Sequence, residues 1–559
     1  MSAVLIVGWD GGSWNVIRPL MQRGRLPNLT RLCRDGCWGP LRAPWPPVTF
    51  PSWTTFMTGV NPGRHGIFDF TRREEGRYRV RFVNAGDRQS PSLWSILSQA
   101  GKRVCVLGLP ATYPPEEING ILVSGFDTPV TTRADDSFVF PPSAAALIRQ
   151  LGGFPFADFQ EFEVNHRWYV RARASLLRAI ARKTELAKQL LCRERWDCFV
   201  IVFGETDTAS HHFWHFADPY SPLYDAVGAG EFGETLAQVY EALDEALGAL
   251  VAAAPAEANV LLVSDHGFGG SSGRYVHLNR WLAEQGWLRF LVEASSGLDF
   301  SWVKRLALRC IPARLQAPLF RLRDYALANT VESQSRFAGI DFSTTVAFAD
   351  ESPTFPGIWL NVRGRDEHGV VAAKDYESVR QQICEALESW RLAPEGTPVV
   401  ARVWRREELY HGPFVDRAPD VVLELGADPK GYSIGVAGSR GHPGPLMSEV
   451  DRSVWRGGKL AGLSGSHRQD GVYVLAGPGV RGRGEAGADM TQMTPSVLGL
   501  CKIPFDPQFF DGEMLDTVVS SSVGDWVSNK RIPVRPPAPY TAEQERMLEE
   551  RLRALGYLE

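Results

Sequence analysis

The chain has 559 residues, of which 44% are hydrophobic and 22% charged, as in an ordinary soluble globular protein. Its formal net charge of −4 gives no field that would draw it to nucleic acid or to an anionic membrane. No apolar run approaches the ~20 residues of a membrane span and no signal peptide is visible, so we predict a cytoplasmic protein without an integral membrane segment. Eight scattered cysteines without a Cys-x-x-Cys pair agree with a reducing compartment.

Short apolar runs alternate with longer amphipathic stretches along most of the chain. The runs have the length and composition of buried strands, and the stretches have the spacing of helices that cover a sheet. The predicted strands are Ala3–Gly8, Arg103–Leu109, Asp197–Phe203, Asn259–Val263 and Gly471–Ala476. The predicted helices are Trp14–Cys33, Ser92–Gln99, Arg171–Arg195, Glu234–Ala253 and Met490–Cys501. This alternation predicts an α/β fold, with a mostly parallel sheet covered by helices on both faces.

The alternation is interrupted once, and this interruption divides the chain. We predict that residues 1–270 form the N-terminal part of the α/β core and that residues 271–335 form a helical insertion or lid. Residues 336–530 would complete the core, and residues 531–559 have the composition of a Pro-rich linker followed by a charged terminal helix, Thr541–Ala554.

Within residues 336–530 the pattern is less regular. Predicted strands there are Phe348–Arg363, Val399–Val403 and Asp420–Leu425, with a helix at Tyr376–Trp390. The Gly-rich stretch Lys430–Gly465 has little periodicity, so we predict a long loop, and loops of that length in compact domains tend to be functional.

A hydroxyl group stands at a predicted helix start. Thr49 precedes Pro51, whose ring is preset for the first turn of a helix. The backbone N–H groups of such a turn bind anions. Most threonines in this position are N-caps, so the chemistry of Thr49 depends on the groups that the fold brings to it.

Aspartates and histidines adjoin several of the predicted strands. They are Asp10, Asp207, His211, Asp265, His266 and His467. Each alone is explained as a turn or cap residue. Ligands of open α/β sheets bind outside the carboxyl ends of the strands, so most of these side chains could converge. Together with Thr49 they suit two divalent metal ions, Zn²⁺ first, with Mn²⁺ or Fe²⁺ as alternatives.

Asp207 and His211 form the best-defined pair of this set. They stand four residues apart, so a helix would place both on one face. His212 and His215 lie near them but have the wrong spacing, and we interpret His65 as a structural loop residue. His442, in the Gly-rich stretch, is left open as a substrate contact.

The ordered motifs of the chain resemble those of the alkaline phosphatase superfamily, and within it the type I phosphodiesterase/nucleotide pyrophosphatase branch. The motifs are Gly8-Trp9-Asp10-Gly11, Thr49-Phe50-Pro51-Ser52, Thr58-Gly59 with Arg64-His65-Gly66-Ile67, Asp207 to His211, Ser264-Asp265-His266-Gly267, Ser466-His467, and the closing segment from Asp489 to Asp511-Gly512. They span roughly residues 3–515, and their order and spacing are specific together although each is weak alone.

This resemblance implies two metal sites and a covalent route. Asp207, His211 and His467 would hold one ion, whereas Asp10, Thr49, Asp265 and His266 would hold the other. Thr49 would be phosphorylated, and hydrolysis of that intermediate would follow. The implied activity is metal-dependent hydrolysis of a small-molecule phosphate ester. No arginine follows Thr49 until Arg64, which favours a diester over a dianionic monoester.

The chain departs from the branch at two positions. Phe70 stands where the branch has an asparagine that donates to the substrate oxygen, and Ser52 stands where asparagine is frequent. We therefore name the backbone N–H of Phe50 and the Ser52 hydroxyl as substitute substrate contacts. Trp281, Trp287 and Trp302 of the predicted insertion are a hypothetical apolar wall for the ester substituent.

Two other functions remain open from the sequence. One is a phosphomutase of the same superfamily, and the other is a non-catalytic binding protein on the same fold. The motif Cys310-Ile311-Pro312-Ala313-Arg314 mimics a sulfatase signature, but it falls late in the chain, and we interpret it as a coincidence. The sequence does not indicate an oligomeric state.

Overall fold

A ten-stranded sheet forms the centre of the protein in a computed structural model of the chain. The residues that the structure describes are 3–129, 136–156, 164–291, 336–337, 339–392, 396–439, 441–450, 463–519 and 540–555. Sheet strands are β1 Val4–Trp9, β2 Cys37–Arg42, β5 Val104–Leu109, β6 Gly120–Ser124, β7 Val139–Phe140, β8 Cys198–Phe203, β9 Asn259–Val263, β18 Asp470–Ala476, β19 Gly484–Glu485 and β20 Ala488–Asp489.

The strand order of this sheet is β19-β2-β18-β9-β1-β8-β5-β6-β7, with β20 also pairing with β2. The five strands from β9 to β6 run parallel to one another, whereas β18 runs antiparallel to both β9 and β2. Every residue of those five parallel strands is buried, so the sheet is covered on both faces. The predicted α/β fold with a largely parallel sheet is confirmed.

The helices of the central layer account for the amphipathic stretches. They are α1 Trp14–Gln22, α2 Pro27–Asp35, α3 Thr49–Thr58, α4 Pro62–His65, α5 Leu93–Gln99, α6 Ala144–Gln150, α7 His166–Arg193, α8 Glu205–Ala217, α9 Ala226–Phe232, α10 Thr235–Ala253 and, further along, Met493–Leu500 and Ala542–Leu555. The helix α11 Leu278–Glu284 packs in the second core described below. Short 3-10 turns lie at Ala85–Asp87, Met490–Gln492 and Pro507–Phe509. The predicted single helix Trp14–Cys33 is wrong, because Gly24, at φ +71°, ends one helix and Pro27 opens the next.

A second hydrophobic core is built by residues between positions 276 and 436. An antiparallel sheet crosses it in the order β11-β12-β14-β13. These strands are β11 Ala347–Phe348, β12 Gly357–Leu360, β13 Val400–Arg405 and β14 Val421–Leu425, beside the helices Tyr376–Ser389 and Arg406–Leu409 and the 3-10 turns Ala373–Asp375 and Val415–Arg417. The domain boundaries proposed from the sequence stay a prediction.

Trp281 and Trp287 belong to this second core. The Trp281 ring is buried and packs on Trp390, with ring centroids 5.1 Å apart, and on Trp287 at 5.7 Å. Trp281 is therefore not available as an open wall for a substrate. Trp302, the Cys310–Arg314 motif and most of the predicted insertion and linker lie outside the described residues.

The Gly-rich stretch is not an unbroken loop. Its segments β15 Ser433–Val436 and β16 Met447–Glu449 pair with β10 Gly267–Val276, which β17 Gly465–Arg468 also joins. The predicted loop over Lys430–Gly465 is therefore wrong at these strands. These strands have only three or four residues, which is too short for a hydrophobic period to identify them, so only their pairing with β10 reveals them. A separate hairpin joins β3 Thr71–Arg73 and β4 Val80–Phe82.

No helix within the described ranges is both long and apolar enough to traverse a lipid bilayer.

Candidate metal centre

Thr49 is the first residue of α3 and is completely buried. The helix lies directly against β1 because Gly8 has no side chain. A Cβ atom on Gly8 would lie 2.8 Å from the Trp53 ring and 2.9 Å from Val202 Cγ2. The close approach lets Trp53 Nε1 donate a hydrogen bond to Asp10 Oδ2 at 3.0 Å. The packing of α3 on β1 thus fixes the positions of both Thr49 and the Asp10 carboxylate.

Asp10 and Asp265 end neighbouring parallel strands and meet at His266. The Nε2 atom of His266 lies 3.6 Å from Asp10 Oδ1, 3.4 Å from Asp265 Oδ2 and 3.4 Å from Thr49 Oγ1. Asp265 is oriented by the Gly11 N–H, which donates to its Oδ1 at 3.1 Å. One imidazole nitrogen therefore lies within 4 Å of two carboxylates and the hydroxyl.

Asp207, His211 and His467 form the adjoining group. Asp207 and His211 lie one turn apart on α8, as their spacing predicts. Asp207 Oδ1 is 3.5 Å from His211 Nε2 and 3.3 Å from His467 Nε2, and the two Nε2 atoms are 3.0 Å apart. Thr206 ties the helix to β1 by donating from Oγ1 to the Asp10 carbonyl at 2.5 Å.

The two groups share His266. Its Nε2 lies 3.9 Å from Asp207 Oδ1, and its ring stacks on His467 with centroids 3.8 Å apart. Ligand atoms of Asp207, His266 and His467 all lie within 4.8 Å of one another, and so do those of Asp10, Asp265 and His266. All seven residues predicted from the sequence as metal ligands are thus brought together, at the carboxyl edge of the sheet.

The three histidines are oriented alike. In each ring Nδ1 donates to a backbone carbonyl: His211 to Gly465 at 3.2 Å, His266 to Gly267 at 3.1 Å and His467 to Pro47 at 3.0 Å. The Nε2 lone pairs then point into the site. Metal-binding histidines show this arrangement, because the carbonyl fixes the tautomer that leaves the other nitrogen basic.

The buried carboxyl groups of the site lack a compensating positive charge. Burial raises the pKa of Asp10 and of Asp265 well above the ordinary value, and the neighbouring carboxylates, Asp207 and Asp10 respectively, raise them further. Asp10 Oδ1 and Asp265 Oδ2 accept no hydrogen bond from the residues that the structure describes. Burial, followed by the nearby His467, lowers the pKa of His266. Buried carboxylates beside neutral imidazoles fit divalent cations, which supply the missing charge.

Asp207 differs from the other two carboxylates. Burial alone would raise its pKa, but His211 and His467, when protonated, bring the pKa well below the ordinary value through their positive charge. Its proton affinity is therefore the lowest of the three, as suits a ligand that stays ionised.

The two predicted substrate contacts lie on α3 beside Thr49. The Phe50 ring is buried against Phe70, with centroids 4.5 Å apart, and against Phe126 at 6.1 Å. Ser52 is also fully buried, and its hydroxyl has no hydrogen-bond partner among the described residues. Phe70 therefore fills with an aromatic ring the place that the related branch gives to an asparagine.

Asp69, beside Phe70, bonds to the second core. Its carboxylate accepts from Ser352 Oγ at 2.6 Å and from Thr354 Oγ1 at 2.7 Å. The hydrogen bonds connect the segment that carries Phe70 to the loop before β12.

The four other histidines discussed in the sequence analysis do not belong to the two ligand groups. His65 Nε2 lies 3.0 Å from Thr55 Oγ1, and burial lowers the pKa of this histidine to about 3. The His212 ring packs against Trp168 with the two planes tilted by 55°, and His215 Nδ1 lies 2.9 Å from Ser464 Oγ. His442 is exposed.

Sequence reasoning missed Trp53 and the pair Lys183–Glu205. The Lys183 ammonium lies 2.8 Å from Glu205 Oε1, and both side chains are almost fully buried. Lys183 lies on α7, far from the site in sequence, so no local signal marks it. Its cationic head on a helix that otherwise buries apolar residues was the one available cue.

A pocket that is partly open to solvent reaches this centre, and its empty space, including the solvent at its mouth, is about 620 Å³. Asp10 and Asp207 line one end of it, and the Lys183–Glu205 pair lies beside them. The remaining wall is mostly apolar, with Phe126, Phe154, Phe156, Pro110, Leu176 and Val202. A group bound at the metal centre could therefore extend an apolar substituent into this space.

A buried hydroxyl at a helix start, next to clustered aspartates and histidines at the carboxyl edge of a parallel sheet, defines a phosphoric ester hydrolase of the alkaline phosphatase superfamily. The chain belongs to the type I phosphodiesterase/nucleotide pyrophosphatase family, whose profile matches residues 4–436.

Solved structures of the same fold include phosphonoacetate hydrolase from Sinorhizobium meliloti 1021. Its complex with phosphonoacetate is 15% identical, with a TM-score of 0.53, and its complex with phosphonoformate is 16% identical, with a TM-score of 0.51; each comparison covers 89% of this chain and 96% of that chain. Human ectonucleotide pyrophosphatase/phosphodiesterase 5 is 14% identical over 90% of this chain and 96% of that chain, with a TM-score of 0.47. No curated protein sequence matches this chain.

Proposed function

We propose that this enzyme hydrolyses phosphodiesters with Thr49 as the nucleophile and with two divalent metal ions as cofactors. The observation that carries the proposal is the position of Thr49 Oγ1, 3.4 Å from His266 Nε2 at the start of α3. Asp207, His211 and His467 would hold one ion, and Asp10, Thr49, Asp265 and His266 the other. Three imidazoles with three carboxylates favour Zn²⁺, with Mn²⁺ or Fe²⁺ as alternatives.

When bound, such ions lower the pKa of a coordinated hydroxyl and stabilise the negative charge of the transferring group. The bond-making step itself is carried out by Thr49. Thr49 loses its proton to solvent, and its Oγ1 bonds to phosphorus as the bond to the leaving alcohol breaks. The alcohol takes a proton from solvent. Water then attacks phospho-Thr49, which restores the hydroxyl and releases the phosphomonoester.

The charges around Thr49 support a diester. Arg64, the first arginine after Thr49, bonds Asp511 Oδ1 at 2.6 Å and the Phe509 carbonyl at 2.9 Å. These bonds occupy the guanidinium, so it is not available to a substrate at Thr49. Lys183 is balanced by Glu205. A diester carries one negative charge fewer than a monoester, and its second substituent would occupy the apolar pocket.

The N–H of Phe50 lies in the first turn of α3, where no intrahelical carbonyl can accept from it, and is the proposed donor to a non-bridging oxygen of the substrate. A helix start offers such groups to anions without any side chain. The hydroxyl of Ser52, two residues further along, is the second proposed donor. These two contacts replace the asparagine whose place Phe70 fills.

The experiment is hydrolysis of bis-p-nitrophenyl phosphate by Thr49→Ala, with Thr54→Ser on the same helix as the matched control. We expect kcat/KM to fall on the order of 10³-fold or more in Thr49→Ala, as for loss of a covalent nucleophile, while Thr54→Ser keeps the parent rate. Mass spectrometry of rapidly acid-quenched enzyme should find a p-nitrophenylphosphoryl group on Thr49, because one aryl group stays on phosphorus until water attacks. Parent-level hydrolysis by Thr49→Ala would exclude Thr49 as the nucleophile.

Substrate class and metal are tested together. A screen of phosphomonoesters, phosphodiesters and phosphonate esters with Zn²⁺ and with Mn²⁺ should give the highest kcat/KM for a diester with Zn²⁺. Metal analysis should find two ions per chain. Fewer tightly bound ions would contradict the two-ion proposal, and retention of the phosphoryl group on the product would indicate a mutase.

A further inference from the structure

We propose that the C-terminal helix, Ala542–Leu555, supports the wall of the substrate pocket from outside and that Arg551 is the residue that positions this wall. This inference rests on the proposed function, because the pocket is assigned to the substrate by its contact with Asp10 and Asp207. Arg551 does not line the pocket, so its effect would be exerted through the residues that it holds.

The helix is packed into the main core. Leu548 and Leu552 are fully buried members of the cluster that surrounds the central sheet. Just before the helix, the Tyr540 ring stacks on Tyr113, with centroids 5.8 Å apart and planes 3° from parallel. Gln544 Nε2 donates to the Tyr113 hydroxyl at 3.1 Å. Burial of two leucines and a tyrosine makes this helix an integral part of the described fold.

Arg551 contacts two separate parts of the pocket wall. Its Nη1 donates to the Phe126 carbonyl at 2.9 Å and also to the Thr128 carbonyl, in the segment that follows β6. Its guanidinium carbon lies 5.4 Å from the centroid of the Phe156 ring, in cation–π range. Phe126 and Phe156 both line the pocket. One guanidinium thus fixes two aromatic wall residues that are distant in sequence.

The wall also touches the helix that carries the nucleophile. The Phe126 ring lies 6.1 Å from Phe50 and 6.3 Å from Phe70, measured between centroids. Phe50 directly follows Thr49. Loss of the Arg551 bonds would therefore loosen the aromatic side of the pocket, whereas Asp10 and Asp207 are held by β1 and α8. Recognition of an apolar substituent should suffer, and metal binding should not.

The test compares Arg551→Ala, Arg551→Lys and Arg546→Ala in the full-length, zinc-loaded enzyme. Arg546 lies on the same helix and makes no ion pair or hydrogen bond with the residues that the structure describes. The probes are phenylphosphonate, which would place a ring in the pocket, and methylphosphonate, which would not. Binding is measured by isothermal titration calorimetry, and bound zinc by mass spectrometry, so neither readout requires turnover.

We expect Arg551→Ala to weaken phenylphosphonate binding about tenfold, the scale of one lost hydrogen bond to a charged group. Methylphosphonate affinity and zinc content should stay at the parent level. Arg551→Lys should recover part of the loss, and Arg546→Ala should show none. With bis-p-nitrophenyl phosphate, Arg551→Ala should raise KM and leave kcat nearly unchanged.

Equal effects of Arg551→Ala and Arg546→Ala on phenylphosphonate would overturn the proposal. Equal losses for the two phosphonates in Arg551→Ala would also overturn it, since a general loosening of the fold would then explain the result. If the parent enzyme binds phenylphosphonate no better than methylphosphonate, the pocket does not receive the substituent. Failure of the proposed hydrolysis looks different: the parent binds the phosphonates with the expected difference but turns over no ester.

Discussion

The Nε2 atoms of His211 and His467 face each other at 3.0 Å. Each ring donates its Nδ1 hydrogen to a backbone carbonyl, so in the neutral ring Nε2 carries a lone pair. Two such lone pairs at this distance repel each other unless a proton or a metal ion lies between them. Asp207 Oδ1 lies 3.3 Å from His467 Nε2 and completes the trio. This geometry is the reason to treat the three side chains as one ligand set.

Replacement of His467 should remove one ion and leave the other. In His467→Ala, the Asp207–His211 pair loses its third ligand, whereas Asp10, Asp265 and His266 keep their places. Metal analysis after dialysis should show about one ion per chain where the parent shows two. His166→Ala, at an exposed histidine on α7, is the control and should bind as the parent does. Unchanged metal content in His467→Ala would contradict the ligand assignment.

Trp53→Phe should weaken metal binding without a large change in packing. The ring volume is mostly kept, but the hydrogen bond from Nε1 to Asp10 Oδ2 is lost. Loss of such an orienting bond costs about 10- to 100-fold in metal affinity or activity. Zinc affinity can be measured by competition with a chromophoric chelator. Trp94→Phe also removes a buried indole hydrogen bond, to Glu116, and should leave zinc affinity unchanged if the Trp53 effect is specific.

Lys183→Met should destabilise the fold more than the double variant Lys183→Met/Glu205→Gln. The lysine and glutamate side chains are only 9% and 4% exposed, so the single change leaves a buried charge without its partner. Breaking a buried pair in this way costs about 3–5 kcal/mol, whereas replacing both partners is often close to neutral. Thermal unfolding of the metal-loaded proteins measures the difference. Equal midpoints for the single and double variants would mean that the two charges are not coupled.

We expect the buried carboxyl group of Asp127 to make the free energy of unfolding depend on pH. Burial raises the pKa of its carboxyl to about 7, although hydrogen bonds from backbone N–H groups and the charge of Arg551 lower it. Below the ordinary pKa of 3.8 the group is protonated in folded and unfolded chains alike. Between these two values only the unfolded chain releases the proton, so the free energy of unfolding falls as pH rises.

Asp127→Asn removes this penalty. Relative to the parent, its free energy of unfolding should rise by at most about 1.4 kcal/mol per pH unit towards pH 7 and then level off. Melting temperatures of both proteins across about pH 5 to 8 give the comparison. Glu543→Gln, at an exposed position of the C-terminal helix, should show no such trend. A constant difference between Asp127→Asn and the parent at every pH would refute the prediction.

Many residues of the candidate metal centre could be predicted from local sequence patterns. Asp10 and Asp265 come at the ends of short apolar runs, and the carboxyl-end rule for parallel strands places them together. The i, i+4 spacing of Asp207 and His211 depends only on helix geometry. Pro51 marks the start of α3 and so the place of Thr49. These signals lie within a few residues of the groups that they locate.

Other features had no local signal. His266 lies within 4 Å of carboxylates from both ligand groups, whereas the resemblance assigned it to one of them. Trp281 looked like a free aromatic wall and proved to be part of a second core. The strand Ser433–Val436 has only four residues, so its alternation of small and apolar side chains was too short to identify it, yet it pairs with β10.

The sequence by itself determined the type of fold, the helix start that carries Thr49 and which side chains gather at the candidate metal centre, because periodicity, turn chemistry and motif spacing are properties of neighbouring residues. Only the tertiary structure decided that Trp53 orients Asp10, that Lys183 balances Glu205 and that Arg551 holds the pocket wall. Each of these contacts joins segments more than twenty residues apart, and burial and strand pairing depend on the partner that the fold supplies.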